Sequence, residues 1–293
     1  MPLIYQEPLD DGSGFQIVLD RIVAARTTAV QEVLIADTSA YGRMLFLDGL
    51  IQSASSDEAR YHETLIHPAL VAHGHPRRVL IGGTGEGATL REVLRHRGVE
   101  SVITVDIDAE VVALCRELLP EWGAGSLDDP RVEARIEDFA ATVASAEAGA
   151  FDVIVSDLTG PHDEGPEAAL WSPGFFRGIA RALADDGVFV CQAGELDPVD
   201  LYMTRRVRST LLEVFPTVEV LYAYVPSFGC MWGFAVASKG PFALCPDDLE
   251  ARVAGLDLAG LRVYTPLAHR AACALPPFLY SILIEPAAVI DEA

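Results

Sequence analysis

The chain has 293 residues, of which 51% are hydrophobic and 22% charged, and its formal net charge at pH 7 is -22, with a pI of about 4.5. This composition excludes a disordered chain, since it supplies apolar material for one large domain or for a large and a small one. It also argues against nucleic acid as a partner, because phosphates bind to basic surfaces. A strongly acidic protein attracts cationic ligands, although the same charge is equally consistent with a role in solubility alone.

Residues 14 to 53 alternate short apolar runs with turn signals such as Tyr41-Gly42, a pattern typical of β-hairpins. Residues 57 to 73 then place apolar side chains at helical spacing. We therefore predict a small N-terminal β-domain with a connecting helix in residues 1–70, followed by a second domain in residues 71–293.

From residue 78 onward, strands alternate with helices. The predicted strands are VLIGG, SVITVDID, VEARIED, FDVIVSDL and GVFVCQA, and the helices between them are ATLREVLRH, AEVVALCRELL and SPGFFRGIARALA. Alternation at these lengths predicts an α/β fold with a doubly wound, mostly parallel sheet. Two further strand candidates, VEVLYAYV and WGFAVAS, would close this sheet as an antiparallel pair.

The first of these strands runs into Gly83-Thr84-Gly85-Glu86-Gly87-Ala88, and glycines at a strand-to-helix turn let a ligand approach the backbone closely. The spacing is G-x-G-x-G. A dinucleotide-binding G-x-G-x-x-G motif would need a third glycine at position 88, where alanine is tolerated. The glycines alone therefore leave a tight turn without a ligand as an alternative.

Acidic residues follow the next two strands. Asp106 lies about 20 residues beyond the glycine loop, where a carboxylate can accept both ribose hydroxyls of a nucleoside. Glu137-Asp138 ends the third strand, where a carboxylate could accept from an adenine amino group. Each acid alone is more often a helix cap, and Asp108 has the position of one. Because these strand ends meet at one edge of an open sheet, together they predict an adenosyl pocket.

Several longer motifs occur in a fixed order between about residues 28 and 240. These are DGLIQSASSDEARYHETLIHPAL, IGGTGEGATLREVLRH, VDIDAEVV and SDLTGP. The chain resembles the polyamine aminopropyltransferases (the spermidine synthase family), and GEGATLREVL with VPSFGCMWGF is most similar to the thermospermine synthase branch. The resemblance implies an N-terminal β-domain over a Rossmann-like domain of the class I methyltransferase type. It also implies transfer of an aminopropyl group from decarboxylated S-adenosylmethionine to an amine, without a metal.

The resemblance also assigns roles to single residues. Asp157 matches the family's catalytic aspartate, and Tyr61 matches a tyrosine beside the acceptor amine. Glu86 takes the place of the acid that favours the decarboxylated donor, since it would repel the carboxylate of ordinary S-adenosylmethionine. Asp106 would hold the ribose and Asp138 the adenine. The other residues implied at the donor site are Gln31, Gln52, His62, Gly83, Gly85 and Ile107.

The chain departs from the family signature D-x-x-D-P after the fourth strand, where it has Asp157-Leu158-Thr159-Gly160-Pro161. Glycine replaces the second aspartate, which normally helps to hold the acceptor amine. Asp163 and Glu164 could substitute for it, or they are solvated loop charges. Phe228, also implied at the acceptor site, stands where spermidine synthases commonly have tyrosine.

This departure leaves the acceptor open. The first hypothesis is that the chain is an aminopropyltransferase whose acceptor is a small-molecule amine, a polyamine longer than putrescine. The alternatives are another acceptor or reaction of an S-adenosyl donor, and a catalytically weak binding homologue. We expect a homodimer or a homotetramer.

The remaining features predict an intracellular protein without a metal. The five cysteines form no C-x-x-C pair and are odd in number, which argues against a zinc site or a disulfide framework and fits a reducing cytosol. The first residues lack the apolar run of a signal peptide, and no segment reaches the roughly 20 apolar residues that span a bilayer. We therefore expect a cytoplasmic location and no membrane partner. Two groups of side chains are expected to have structural roles only. The first group is His67, His73 and His75, which have no carboxylate or cysteine partner at metal-ligand spacing. The second group is Trp122, Trp171 and Trp232, of which Trp171 is best placed for a functional contact.

Overall fold

The computed structural model describes residues 3–8, 14–160, 166–196 and 201–290, so the predicted acceptor residues Asp163 and Glu164 lie outside the described residues. The strands are β1 (Leu3–Pro8), β2 (Gly14–Leu19), β3 (Arg21–Thr27), β4 (Glu32–Thr38), β5 (Gly42–Leu47), β6 (Leu50–Ala54), β7 (Arg78–Gly82), β8 (Ser101–Asp106), β9 (Val132–Ile136), β10 (Phe151–Ser156), β11 (Leu183–Glu195), β12 (Thr217–Val225) and β13 (Cys230–Ser238). The α-helices are α1 (Glu58–His73), α2 (Ala88–Leu94), α3 (Ala109–Leu118), α4 (Pro120–Gly123), α5 (Phe139–Ser145), α6 (Pro173–Ala182), α7 (Tyr202–Leu212), α8 (Leu249–Val253), α9 (Pro266–Cys273) and α10 (Pro277–Leu283).

The N-terminal part is all β, as predicted. β1 and β2 form an antiparallel pair, and β3 to β6 form a four-stranded antiparallel sheet. One face of that sheet packs Met44 and Phe46 against Ile17 of β2. The opposite face packs Ile35 against Trp122, next to α3. These contacts place the N-terminal sheet against α3 and α4.

The central sheet has seven strands in the order β12-β13-β11-β10-β7-β8-β9. The five strands from β11 to β9 run parallel to one another. β13 lies between β11 and β12 and is antiparallel to both. The predicted α/β fold with a mostly parallel sheet and an antiparallel C-terminal strand pair is therefore confirmed.

Helices cover both faces of the central sheet, and side chains of successive strand residues alternate between those faces. Val79 and Ile81 of β7 pack with Leu65 of α1, while Leu80 packs with Phe176 of α6 on the other side. Every residue of β10 is buried, as expected for a central parallel strand. Burial on both faces explains the continuous apolar runs of these strands.

The strand order reverses direction between β7 and β10, since β8 and β9 extend the sheet on one side of β7 and β10 lies on the other. In such sheets, ligands bind outside the carboxyl ends of the strands at this switch point. Gly83 follows β7 and Asp157 follows β10, and the backbone N–H of Asp157 donates to the Gly82 carbonyl at 2.8 Å. The fold thus brings the glycine loop and the predicted catalytic aspartate together.

Candidate active site

A cavity of about 860 Å³ opens at the switch point, between the central sheet and the N-terminal sheet. All of the sequence-predicted site residues that the structure describes line it. They are Gln31, Gln52, Tyr61, His62, Gly83, Gly85, Glu86, Asp106, Ile107, Asp138, Asp157 and Phe228.

Gly83 and Gly85 of the glycine loop differ in what surrounds them. Gly83 has φ +90°, and a Cβ there would lie 2.1 Å from the Asp157 carbonyl oxygen, so a side chain is excluded by the neighbouring strand. Gly85 has φ +44°, and a Cβ there would meet no atom within 4 Å. Gly83 therefore permits close strand packing, and Gly85 leaves the cavity open to a ligand.

Asp106 is held by the backbone. One carboxylate oxygen accepts the N–H groups of Thr84 at 3.0 Å and Gly85 at 2.9 Å, and the other accepts the N–H of Asp108 at 2.9 Å. Burial raises the pKa of Asp106, although these three hydrogen bonds oppose the shift. The carboxylate is therefore fixed in orientation, and it lines the cavity with one of its roughly four lone-pair sites unused by these hydrogen bonds.

Two neighbouring acids cap helices. Asp108 accepts the N–H groups of Glu110 and Val111 at the start of α3, which confirms the predicted cap. Its second oxygen accepts from the Gln31 amide at 3.2 Å, so one donor of Gln31 is already used. Asp138 accepts from the Ala140 N–H at 2.8 Å at the start of α5, and its side chain is exposed at the cavity wall.

The Asp157 carboxylate accepts hydrogen bonds from two hydroxyl groups. Tyr61 Oη donates to one carboxylate oxygen at 2.7 Å, and Thr89 Oγ1 donates to the other. Burial raises the pKa of Asp157. Burial, followed by the nearby Asp157 carboxylate, raises the pKa of Tyr61 far above its usual value, so the phenol remains a donor. The arrangement holds an oriented carboxylate with increased basicity.

His62 lies between two carboxylates. Its Nδ1 lies 2.8 Å from the Glu58 carbonyl oxygen and therefore carries a proton, because a carbonyl only accepts. Its Nε2 lies 3.2 Å from Glu86 Oε1, so the ring connects α1 to the glycine loop. Burial alone would raise the pKa of Glu86, but the hydrogen bond and charge of His62 outweigh it and lower that pKa.

Further ion pairs hold Glu58 in place. Its carboxylate pairs with Arg91 of α2 at 2.9 Å and with Arg262. Neither Arg91 nor Arg262 lines the cavity. The sequence contains no sign of these ion pairs, because the paired residues are far apart in the chain, by 204 residues for Glu58 and Arg262.

The cavity carries a strong negative charge. Among the described residues, the side chains that line it include eight carboxylates and neither lysine nor arginine. The carboxylates belong to Glu7, Asp48, Glu86, Asp106, Glu137, Asp138, Asp157 and Glu195. Such a lining suits a cationic ligand.

Glu7 was not predicted, because a single acid in an edge strand has no sequence signal. It accepts from the Ile51 N–H at 2.9 Å. Burial raises its pKa to about 7, with a further contribution from the charge of Glu195. The two carboxylates therefore lie close enough to interact electrostatically, which is the pattern expected around a bound cation.

The tryptophan and histidine side chains with expected structural roles differ in their positions. Trp171 is 1% exposed and packs in the core beside α6, whereas Trp232, expected only to pack, lines the cavity. Trp232 meets Phe228 edge to face at 4.9 Å, and Phe228 meets Tyr61 in the same way. His67 does have a carboxylate partner, Glu92 of α2, at 3.0 Å. That contact is made between helices, so spacing along the chain cannot show it.

Two family models match the chain, one in its N-terminal part and one in the larger part that follows. The model of the spermine/spermidine synthase domain matches residues 58–245, and that of the spermidine synthase tetramerisation domain matches residues 4–55.

None of the helices in the described ranges is long and apolar enough to cross a membrane.

Sequence relatives include several polyamine aminopropyltransferases. The protein of that name from Synechococcus sp. (strain JA-2-3B'a(2-13)) is 49% identical over 78% of this chain and 74% of its own length. Those from Moorella thermoacetica and Erwinia tasmaniensis are 41% and 38% identical, and the matches cover 93% and 96% of this chain and 93% and 98% of theirs.

Solved structures of spermidine synthases have the same fold. The enzyme from Thermotoga maritima superposes with a TM-score of 0.86 at 30% identity, and the match covers 97% of this chain and 96% of that one. A spermidine synthase in complex with the transition-state analogue AdoDATO gives a TM-score of 0.88 at 30% identity, over 97% of this chain and 96% of that one.

The doubly wound sheet, with a carboxylate-lined cavity at its switch point and an N-terminal β-sheet beside it, together with relatives named polyamine aminopropyltransferases, places the chain among transferases. The chain belongs to the spermine/spermidine synthase family. It is an aminopropyltransferase whose co-substrate is decarboxylated S-adenosylmethionine, and the tetramerisation-domain match makes it an oligomer.

Proposed function

We propose that the protein transfers the aminopropyl group to a polyamine longer than putrescine, as in the thermospermine synthase branch. The observation that carries this proposal is the set of carboxylates that extends from Asp157 to Glu7 and Glu195 within one cavity of about 860 Å³. A short diamine pairs with few of these groups, whereas a triamine presents three cationic nitrogens to them. Asp163 and Glu164 remain proposed acceptor contacts beside this set.

The donor is proposed to bind at the carboxyl ends of β7, β8 and β9. Asp106 would hold the ribose, with its carboxylate fixed by the backbone N–H groups of Thr84 and Gly85 and accepting from a ribose hydroxyl. Asp138 would accept from the adenine amino group. The Ile107 side chain is 60% exposed at the cavity wall and offers an apolar surface to the base. Gln31 and Gln52 lie on the opposite, N-terminal side of the cavity.

Donor choice is proposed to rest on Glu86. His62 Nε2 lies 3.2 Å from Glu86 Oε1 and lowers the pKa of that carboxyl against the effect of burial, which favours the ionised form of Glu86. An ionised Glu86 attracts the ammonium of the decarboxylated donor and repels the additional carboxylate of ordinary S-adenosylmethionine. Glu58 and its arginines then act as positioning residues for His62.

The chemical step needs a neutral amine, although a free alkylamine has a pKa of about 10 and is mostly protonated at neutral pH. We assign Asp157 as the group that orients the amine and takes its proton, with Tyr61 and Thr89 holding the carboxylate. The amine nitrogen bonds to the carbon next to the sulfonium, the carbon–sulfur bond breaks, and methylthioadenosine leaves as a neutral thioether. Holding nitrogen, carbon and sulfur in line supplies much of the rate.

The assembly proposal is a homotetramer, with a homodimer as the alternative. Residues 1–70 would form the assembly unit and residues 71–293 the catalytic unit. The match of residues 4–55 to a tetramerisation domain supports this division. A cytoplasmic location is proposed as well, because all five cysteines are free thiols, as in reducing compartments.

The test is incubation of the protein with decarboxylated S-adenosylmethionine and a panel of amines, with detection of methylthioadenosine and mass analysis of the products. The expected result is methylthioadenosine release with a triamine above that with putrescine, and a tetraamine product. Efficient use of putrescine would contradict the acceptor proposal.

The glycine at position 160 favours a second candidate, a member of the family with a non-standard acceptor. A Cβ built on Gly160 would have Gln192 Nε2 at 3.6 Å as its nearest neighbour, so the missing aspartate leaves space in the cavity wall. Methylthioadenosine release with a bulkier, less charged amine and with no common polyamine would support this candidate.

A further inference from the structure

A cluster of sulfur and nitrogen atoms lies away from the active-site cavity. His269 and Cys273 stand one helical turn apart on α9, so both side chains project from the same face. Cys245 lies in the segment that follows β13. Ligand atoms of these three residues all lie within 4.8 Å of one another.

The histidine in this cluster is already fully hydrogen-bonded. Its Nε2 lies 2.8 Å from the Leu244 carbonyl oxygen and must donate to it, which leaves Nδ1 as an acceptor. Tyr264 Oη donates to that Nδ1 at 2.7 Å, and Tyr264 is only 5% exposed. A zinc ion bound by Cys₂His would have to displace this buried hydroxyl. The geometry therefore favours chemistry of the two thiols over metal binding.

The two thiols differ in access and lie close together. Cys245 is exposed, Cys273 is half-buried, and their Sγ atoms lie within 4.8 Å of each other. We propose that Cys245 and Cys273 form a reversible intrachain disulfide by exchange with a small-molecule disulfide such as oxidised glutathione. The spacing of 28 residues along the chain gives no sign of this pair.

Exposure sets the order of the two steps. The thiolate of Cys245 attacks the small-molecule disulfide, forms a mixed disulfide and releases one thiolate. The thiolate of Cys273 then attacks Cys245 Sγ and releases the second. Two cysteine protons are transferred to the two released thiolates, so the protein is oxidised by two electrons and the small disulfide is reduced to two thiols.

The bond would close a loop that packs on α1, the helix that carries Tyr61 and His62. The segment between the cysteines contains α8, and both α8 and α9 contact α1. It also contains residues 262–264, whose three backbone N–H groups donate to the Glu63 carboxylate of α1. Oxidation would therefore fix the C-terminal segment against the helix that shapes the active site, and it would stabilise the folded chain.

The experiment treats the full chain with oxidised glutathione and then measures intact mass, the peptide map and the thermal unfolding midpoint. We expect a mass lower by about 2 Da, a single cross-linked peptide pair, and a midpoint raised on the order of 5 °C. A reducing agent should restore the original mass and midpoint. Cys245→Ser and Cys273→Ser should abolish the midpoint shift, and Cys230→Ser, which keeps both thiols, should retain it.

Three outcomes would overturn the proposal. One is full recovery of five thiols after oxidation and unfolding. Another is a mixed disulfide at Cys245 that Cys273 never resolves. The third is stoichiometric zinc in the purified protein that protects both thiols and is lost in Cys245→Ser and His269→Ala.

Discussion

At the scale of single residues, Asp157 and Glu86 show how one cavity gives two carboxylates different tasks. Asp157 accepts only neutral hydroxyl donors and is buried, so its pKa rises. Glu86 is also buried, but the hydrogen bond and charge interaction with His62 lower its pKa. The first environment favours a proton acceptor, and the second favours an ionised carboxylate.

Replacing Asp157 with asparagine should cut turnover by about 10²-fold or more, because a positioned general base is lost while the shape is kept. Binding of methylthioadenosine should stay nearly unchanged, since its proposed ribose and adenine contacts lie at other strand ends. Steady-state kinetics and calorimetry measure the two effects. Near-normal turnover would mean that the proton leaves by another route.

Replacing Glu86 with glutamine should reduce the preference for the decarboxylated donor over S-adenosylmethionine, because the repulsion of the extra carboxylate disappears. The ratio of the two dissociation constants is the measurement. Asp48→Asn is the matched control, since it removes the charge of another carboxylate that lines the cavity. A ratio that is equal in wild type and Glu86→Gln would refute the assignment.

Replacing Gly160 with aspartate restores the family signature. The φ angle of Gly160 lies outside the left-handed region, and the nearest atom to a built Cβ is 3.6 Å away, so the side chain fits. Activity on conventional polyamines should rise by at most about 1–3 kcal/mol in transition-state binding, measured as kcat/KM. Gly160→Asn is the control for shape without charge. No gain on any polyamine, together with a native acceptor that carries no amine, would contradict the polyamine proposal.

At the scale of elements, the sequence predicted the site residues whose positions are determined by the ends of parallel strands. Asp106 ends a parallel strand, Gly83 and Asp157 each follow one, and parallel strands of one sheet end at the same edge, so their proximity follows from topology. The position of Glu7 and the contact of His62 with Glu86 could not be predicted, because they depend on contacts between separate elements. We made no prediction for α7 to α10.

The anchoring of α1 to the C-terminal segment gives a prediction at this scale. Glu63 is 1% exposed and accepts the N–H groups of Arg262, Val263 and Tyr264 at 2.8, 2.9 and 2.6 Å. Glu63→Ala would leave three N–H groups without an acceptor, and we expect a loss of unfolding free energy on the order of 3 kcal/mol. Urea denaturation measures it. Glu63→Gln keeps one acceptor oxygen and should lose less, and an equal loss in both variants would mean that packing dominates.

At the scale of the whole molecule, the distribution of the acidic residues indicates what their negative charge does. The formal net charge is -22, and the cavity wall concentrates eight carboxylates among its described residues. Charge spread evenly for solubility would not need a cavity lined with one sign. The clustering therefore supports attraction of a cationic acceptor toward the active site over a role in solubility alone.

Attraction of this kind must weaken as salt is added, because mobile ions reduce the Debye length from about 10 Å at 0.1 M to about 3 Å at 1 M ionic strength. We expect kcat/KM for a triamine to fall steeply over this range, and to fall more than that for a diamine, since the triamine carries one more positive charge. Inhibition by methylthioadenosine, which is uncharged, should change little and serves as the control. Initial rates at several ionic strengths, at fixed pH and with saturating donor, provide the measurement. If the triamine and the uncharged inhibitor respond equally to salt, the carboxylates of the cavity do not steer the acceptor, and the acidity of the chain serves solubility.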